Sequence, residues 1–381
     1  MKRILYIGGF ELPDKNAAAH RVLAIAKALR DGGIEVIFLG VSKSNNERDV
    51  LRTKTEVQGF ISYSVPYPKE KKEWVEYLIS PKSAKTLIEE YGSIDGVICY
   101  NYQAVAFNHL RKYCKTRGIK IYSDCTEWYN TEGASIAFKV LKGFDTWYRM
   151  TIVQKKLDGL LVISNYLKKY YSSCKNVIVV PPLVDCKEQK WDIPEKELGT
   201  SVNFVYAGKP GNKDKIGEIV AAFCNLIKNY DCRLLVVGIS KEQFLQANPE
   251  ADAENIPNEI VFLGRVSHAQ SIAYLKGSDC SLIIRDSTRT NNAGFPTKFV
   301  EAVTLGVGVI ATDISDLAVY ADKLDNVLLV NGSLYKTMEH FVLTNSKNKN
   351  PSYMFDYREW IDMIDSFFAS QIASVSWTPA R

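Results

Sequence analysis

The sequence predicts an α/β protein built from two doubly wound, parallel sheets. Short apolar runs alternate with stretches in which apolar residues recur at helical spacing. Unbroken runs of that kind are what strands covered on both faces require. The alternation breaks once, at Pro181-Pro182, and then starts again. A chain of 381 residues, at about 150 residues per domain, accommodates two such sheets.

The elements follow in order. Residues 3–8 form a buried strand that turns at Gly8-Gly9. The next stretch, 17–30, carries Val22, Ile25, Ala26 and Leu29 on one helical face, and Gly32-Gly33 stops it before a strand over 35–40. Strand, helix, strand in that order forces parallel pairing. The pattern continues with strands at 95–100, 119–124, 159–164 and 176–181, and helices near 103–117 and 165–171. Residues 186–200 read as a charged linker. Beyond it, strands are expected at 202–208, 233–238, 260–264, 280–285 and 307–312, with helices over 215–229, 267–277 and 297–305. The expected division is therefore an N-terminal Rossmann-like domain (1–185), the linker, a C-terminal Rossmann-like domain (201–350) and a final helix (351–381). That helix carries Tyr357, Trp360, Ile361, Ile364, Phe367 and Phe368, and is expected to pack back on the first domain. Two such domains facing a central cleft would bind ligands at their strand C-termini.

Composition narrows the function classes. Lys plus Arg is 48 and Asp plus Glu 43, a net charge of +5. The surplus suits a phosphate-bearing partner or an anionic membrane surface, without marking a nucleic-acid binder. The eight cysteines and four histidines are scattered without metal-ligand spacing, so no metal is expected and a reducing compartment fits. No leader segment and no apolar stretch of the roughly 20 residues a membrane span needs is visible. The expected location is cytoplasmic, at most peripheral to a membrane.

The richest stretch is Asn292-Ala293-Gly294-Phe295-Pro296-Thr297-Lys298, followed by Glu301. It follows a strand and opens a helix, whose free amides and positive dipole suit a diphosphate. Gly294 allows close backbone approach, Lys298 adds a full charge, and Glu301, one turn on, is placed to accept two ribose hydroxyls. The same residues also suit an ordinary strand–loop–helix with a solvated Lys–Glu pair.

Gly-Phe-Pro-x-Lys-Phe-x-Glu-Ala, followed by Gly-x-x-Val-Ile-Ala-Thr at 306–312, resembles the C-terminal signature of glycosyltransferase family 4, whose enzymes have the GT-B fold. The resemblance implies that Glu301 is the second Glu of the family's Glu-x7-Glu motif and binds the donor ribose. The first Glu would stand where this chain has Ala293, a departure that bears on which sugar is accepted and on activity itself. After the first strand of the second half, Gly208-Lys209 and Lys213 resemble the family's diphosphate-holding loop, with Lys215 at nearly the same spacing. Gly264-Arg265 resembles the segment lining the nucleobase. Asn292, Gly294, Phe295, Pro296, Thr297 and Lys298 complete the implied donor site, with a nucleotide-diphospho-sugar as co-substrate and no cofactor.

In the first half, Gly8-Gly9 and His20-Arg21 resemble the N-terminal loop and helix start that face the donor phosphates and the acceptor. His20 reads equally as an interdomain or capping residue. Asp124 and Glu127 close a strand as two carboxylates able to polarise an acceptor hydroxyl, or Asp124 simply caps a turn. The catalytic candidates are thus Asp124, Glu127 and Lys213. Two basic, aromatic stretches, 68–79 and 138–156, suit a surface on anionic lipid or solvated charge beside buried rings. The resemblance implies a retaining transferase that moves a sugar to a glycan or lipid-linked glycan in surface-polysaccharide assembly. The alternatives are a noncatalytic nucleotide- or glycan-binding subunit, or a sugar-nucleotide epimerase.

Overall fold

A computed structural model describes residues 2–129, 135–208, 213–251, 255–344 and 349–372. The chain forms two compact units, one running to Asp185 and resuming at Asp356, the other spanning Cys186–Phe355.

The first unit holds an eight-stranded sheet: β1 (Lys2–Gly8), β2 (Ile34–Ser42), β3 (Thr55–Val57), β4 (Phe60–Pro66), β5 (Gly96–Tyr100), β6 (Lys120–Cys125), β7 (Gly159–Val162) and β8 (Val177–Val179). Its order is β3-β4-β2-β1-β5-β6-β7-β8. Every pairing is parallel except the short β3–β4 hairpin at the edge. The order reverses between β1 and β5, which makes their carboxyl ends the switch point of this sheet. Along β1, Ile4 and Tyr6 face one core with Val22, Ile25 and Leu29 of the helix Ala17–Asp31. Leu5 and Ile7 face the opposite core with Phe107 and Leu110 of the helix Ala104–Thr116. Two covered faces explain why the strand reads as an unbroken apolar run.

The C-terminal helix Ile361–Ile372 belongs to this unit. Phe367 and Phe368 place their rings 5.8 and 4.8 Å from that of Tyr122 on β6. Gly159 on β7 makes room: a Cβ there would lie 2.6 Å from the Phe367 ring.

The second unit holds β9 (Val202–Ala207), β10 (Cys232–Val237), β11 (Ile260–Gly264), β12 (Cys280–Ile283), β13 (Gly308–Ala311) and β14 (Val327–Leu329), all parallel, in the order β11-β10-β9-β12-β13-β14. Its switch point lies between β9 and β12. The stretch 186–200, expected as a linker, is instead part of this unit. Lys276 donates to the carbonyls of Trp191 and Ile193, both at 3.1 Å, and Trp191 is buried. The Lys196 amide also donates to Ala273. Local charge gave that segment the look of a free connection, whereas the helix His268–Gly277 holds it.

Candidate functional site

The switch point of the second unit gathers a tight group of charges. β9 runs into Gly208 at φ +124°, and a Cβ there would lie 2.7 Å from Lys298 Cε. Only glycine accepts that backbone and leaves room for the lysine. Asp214 follows in the same loop and sits between two cations. Arg285 Nε, just beyond β12, donates to its Oδ1 at 2.6 Å, and Lys298 Nζ lies 3.2 Å from Oδ2. Tyr206, on β9, donates its hydroxyl to Asp214 at 2.7 Å, while Lys298 Nζ stands 3.9 Å from the Tyr206 ring centre. Thr312, at the end of β13, exchanges hydrogen bonds with the Arg285 backbone.

Two cations sharing one carboxylate leave a surplus positive charge in a largely desolvated place, where an anion is attracted more strongly than in water. Burial pulls the Lys298 ammonium down to about 8, against the support it takes from Asp214. Burial also opposes the Asp214 charge, yet Lys298 and Arg285 outweigh it and hold that carboxyl below its usual range. Asp214, Arg285 and Tyr206 were not expected from the sequence. The one local signal was an arginine closing an apolar strand.

Gly208 and Asp214 also line a cavity of about 1490 Å³ that extends past Gly238, Phe244, Arg265 and His268. Gly264, at φ +64°, receives a hydrogen bond from the Gly238 amide at 2.8 Å, and Arg265 beside it is exposed. The helix Thr297–Thr304 starts at Pro296 with no side-chain cap, and Thr297 is exposed. Glu301 is partly exposed on that helix, 3.7 Å from His268 Nε2. Lys213 is exposed, Lys215 pairs with Asp286 at 2.8 Å, and Lys209 lies outside the described residues.

Two expected donor contacts are corrected. Phe295 packs its ring among Phe299, Tyr320 and Phe355, so it belongs to the core and offers a ligand only its backbone. The Asn292 side chain braces its own loop, donating to Ser287 and accepting from the Ser315 amide, both at 3.0 Å. Gly294 accepts from the Ser315 hydroxyl, and Ala293 is fully buried.

In the first unit, Gly8 lets β1 approach β5: a Cβ there would lie 2.6 Å from the Tyr100 carbonyl. Gly9 is exposed and His20 half-buried near the start of its helix. Asp124 and Arg21 need a larger correction. Asp124 is wholly buried, paired with Arg21 at 2.7 Å and accepting the Tyr6 hydroxyl at 2.6 Å. Arg21 also donates to the carbonyls of Val180 and Pro181. A saturated buried pair ties helix to sheet and presents nothing to an acceptor. Glu127 is half-buried, with Asn101 Nδ2 at 3.4 Å.

Among the described residues no group of three His, Cys, Asp or Glu could hold a metal ion, and no helix is long and apolar enough to cross a membrane.

Residues 188–345 match the family model described as Glycosyl transferases group 1. No curated protein matches the chain by sequence. Among solved structures, a sucrose-phosphate synthase from Thermosynechococcus elongatus aligns at TM-score 0.65 and 14% identity, covering 98% of this chain and 97% of its own. The Anabaena protein HepE, solved with UDP and glucose, aligns at TM-score 0.61 and 10% identity over 98% of this chain and all of its own. An E. coli trehalose-6-phosphate protein bound with UDP-2-fluoro glucose aligns at 0.64 and 13% identity, over 98% and 99% of the two chains. The chain shares their GT-B fold. Together with the family match, this supports a glycosyltransferase of group 1.

Proposed function

We propose that this chain transfers a sugar from a nucleotide-diphospho-sugar to a hydroxyl of a glycan or lipid-linked glycan. The observation that carries the proposal is the Arg285–Asp214–Lys298 array beside Gly208 at the β9/β12 switch point. Asp214 keeps two like charges side by side in readiness for a ligand. The donor diphosphate would then meet Arg285, Lys298 and the amides after Gly294, with Lys213 at the rim. Positive charge fixed where the leaving group gains negative charge is commonly the largest catalytic term. In the transfer, the bond from the anomeric carbon to the diphosphate breaks and the acceptor oxygen takes its place. The acceptor's proton leaves with the nucleoside diphosphate.

Glu301 would hold the ribose, and the cavity reaching Gly238 and Arg265 would take the base. The UDP bound in structures of the same fold supports a uracil nucleotide as the first to try. Glu127 would be the carboxylate that polarises an acceptor hydroxyl. Retention at the anomeric carbon and a role in surface-polysaccharide assembly rest on the resemblance to family 4. Exposed Phe138, Val140, Leu141, Phe144 and Trp147, interleaved with lysines on the helix Ile136–Tyr148, support contact with an anionic membrane face at the cytoplasmic side.

A noncatalytic binding subunit is the second reading, favoured by Ala293 where a carboxylate would contact the sugar. Incubation with radiolabelled donor sugars and a lipid-linked glycan extract separates the two. Transfer or slow donor hydrolysis by the wild type supports the transferase. Nucleotide binding with neither supports the subunit.

A further inference from the structure

Arg149 is fully buried in the first unit, in a π-helical turn over Arg149–Val153. Its Nη1 donates to the Asn101 carbonyl at 3.2 Å, but Nε and Nη2 have no hydrogen-bond partner among the described residues. Those two groups form one edge of the guanidinium, the edge that grips an oxyanion with two parallel hydrogen bonds. A buried arginine with that edge unmet is costly, so native proteins rarely leave one without an anion. Asp145, a carboxylate whose charge acts on Arg149, accepts from the Ala104 amide at 2.7 Å and faces Lys142 at 3.7 Å.

A second cation adjoins. Lys142 Nζ lies 3.7 Å from the Tyr129 ring centre, and Arg149 Cζ lies 5.1 Å from the same ring. Burial, then the Arg149 charge, press the Lys142 ammonium below its usual range. Both cations therefore lie against one half-buried ring, Tyr129. The place lies at the carboxyl ends of β5 and β6, beside the switch point of this sheet. Asn101, held there at φ +40°, binds Thr126 at 2.7 Å. Strained backbone and π-turns both concentrate at functional sites.

We propose that the Nε/Nη2 edge of Arg149, together with Lys142, is a subsite for a phosphate ester carried by the acceptor. This rests on reading the first unit as the acceptor half of a transferase. Two cations suit a phosphate dianion better than a single carboxylate. The phosphate would hold the acceptor with its hydroxyl near Glu127, and Tyr129 would cover the subsite until the ligand displaces it.

Trp128, adjacent to Tyr129, supplies a local reporter. The full chain, labelled with 5-fluorotryptophan, is titrated with inorganic phosphate, a hexose phosphate and a short prenyl diphosphate while the Trp128 resonance is followed by fluorine NMR. All three should shift it, and the tighter of the two esters identifies the source as a sugar phosphate or a lipid-linked phosphate. Arg149→Met should weaken the response roughly tenfold or more, as expected for losing two charged hydrogen bonds. Lys142→Gln, on a partly exposed side chain, should weaken it less and covers the case in which Arg149→Met does not fold. No response in the wild type overturns the proposal, as does an unchanged affinity in Arg149→Met or, should that variant not fold, in Lys142→Gln. The titration needs no donor and no turnover, so a failed transferase assay and a failed phosphate subsite are distinguishable results.

Discussion

Lys298 carries a pH signature that binding can read. Its ammonium, brought down to about 8 by burial, is charged below that pH and loses its charge above it. Diphosphate affinity should therefore fall as pH rises through about 8, measured by calorimetry from pH 6 to 10. Asp214, Arg285, Glu301 and Tyr206 surround that ammonium, and Asp214 is the one that most supports its charge. Asp214→Asn should move the midpoint to lower pH, and an unmoved midpoint would dissociate Asp214 from the site. Glu301→Gln should cost about 1–3 kcal/mol of nucleoside diphosphate binding, and an unchanged dissociation constant would reject the ribose role. Lys298 and Glu301 were legible because they stand together on one short helix. Arg285 and Asp214 were not, since 71 residues separate them and only the sheet order joins them. Asp124 misled for the same reason: its partner Arg21 lies 103 residues away, while Glu127, three residues on, suggested a pair of acids.

Most strands were legible, but β3, β4 and β14 were not, and neither was the attachment of 186–200. A strand covered on both faces must be apolar throughout, so β1, β2, β9 and β10 are visible in a single window of sequence. The stretch 186–200 looks like a connection because its hold on the helix His268–Gly277 runs largely through backbone carbonyls, which sequence does not record. The helix Ile136–Tyr148 is the opposite case, since its apolar residues lie outside: Ile136 is 81% and Val140 69% exposed. Such exposure on one element is what an interaction surface would require. Replacing Phe138, Leu141 and Phe144 together by serine should reduce cosedimentation with phosphatidylglycerol vesicles several-fold. Binding of soluble nucleoside diphosphate should not change. Equal cosedimentation of variant and wild type would remove this helix from the membrane account.

Across the molecule, two sheets with reversed strand order each expose one switch point, and the charges that matter collect there. In the second unit the switch point holds Gly208, Arg285 and Lys298. The repetition of strand and helix in the sequence was enough to anticipate the parallel centre of both sheets, because it expresses the same covered-strand rule twice. It could not say which loops meet across a sheet. The central claim is that the β9/β12 switch point grips a diphosphate, and calorimetric titration of the wild type and of Arg285→Met/Lys298→Met with UDP, GDP and ADP, with the parent nucleosides as controls, tests it most directly. At least one nucleoside diphosphate should bind the wild type and lose about 3 kcal/mol or more in the double variant, while its nucleoside binds both proteins alike. Equal binding of that diphosphate by the two proteins, or no binding of any of the three by the wild type, would contradict the account.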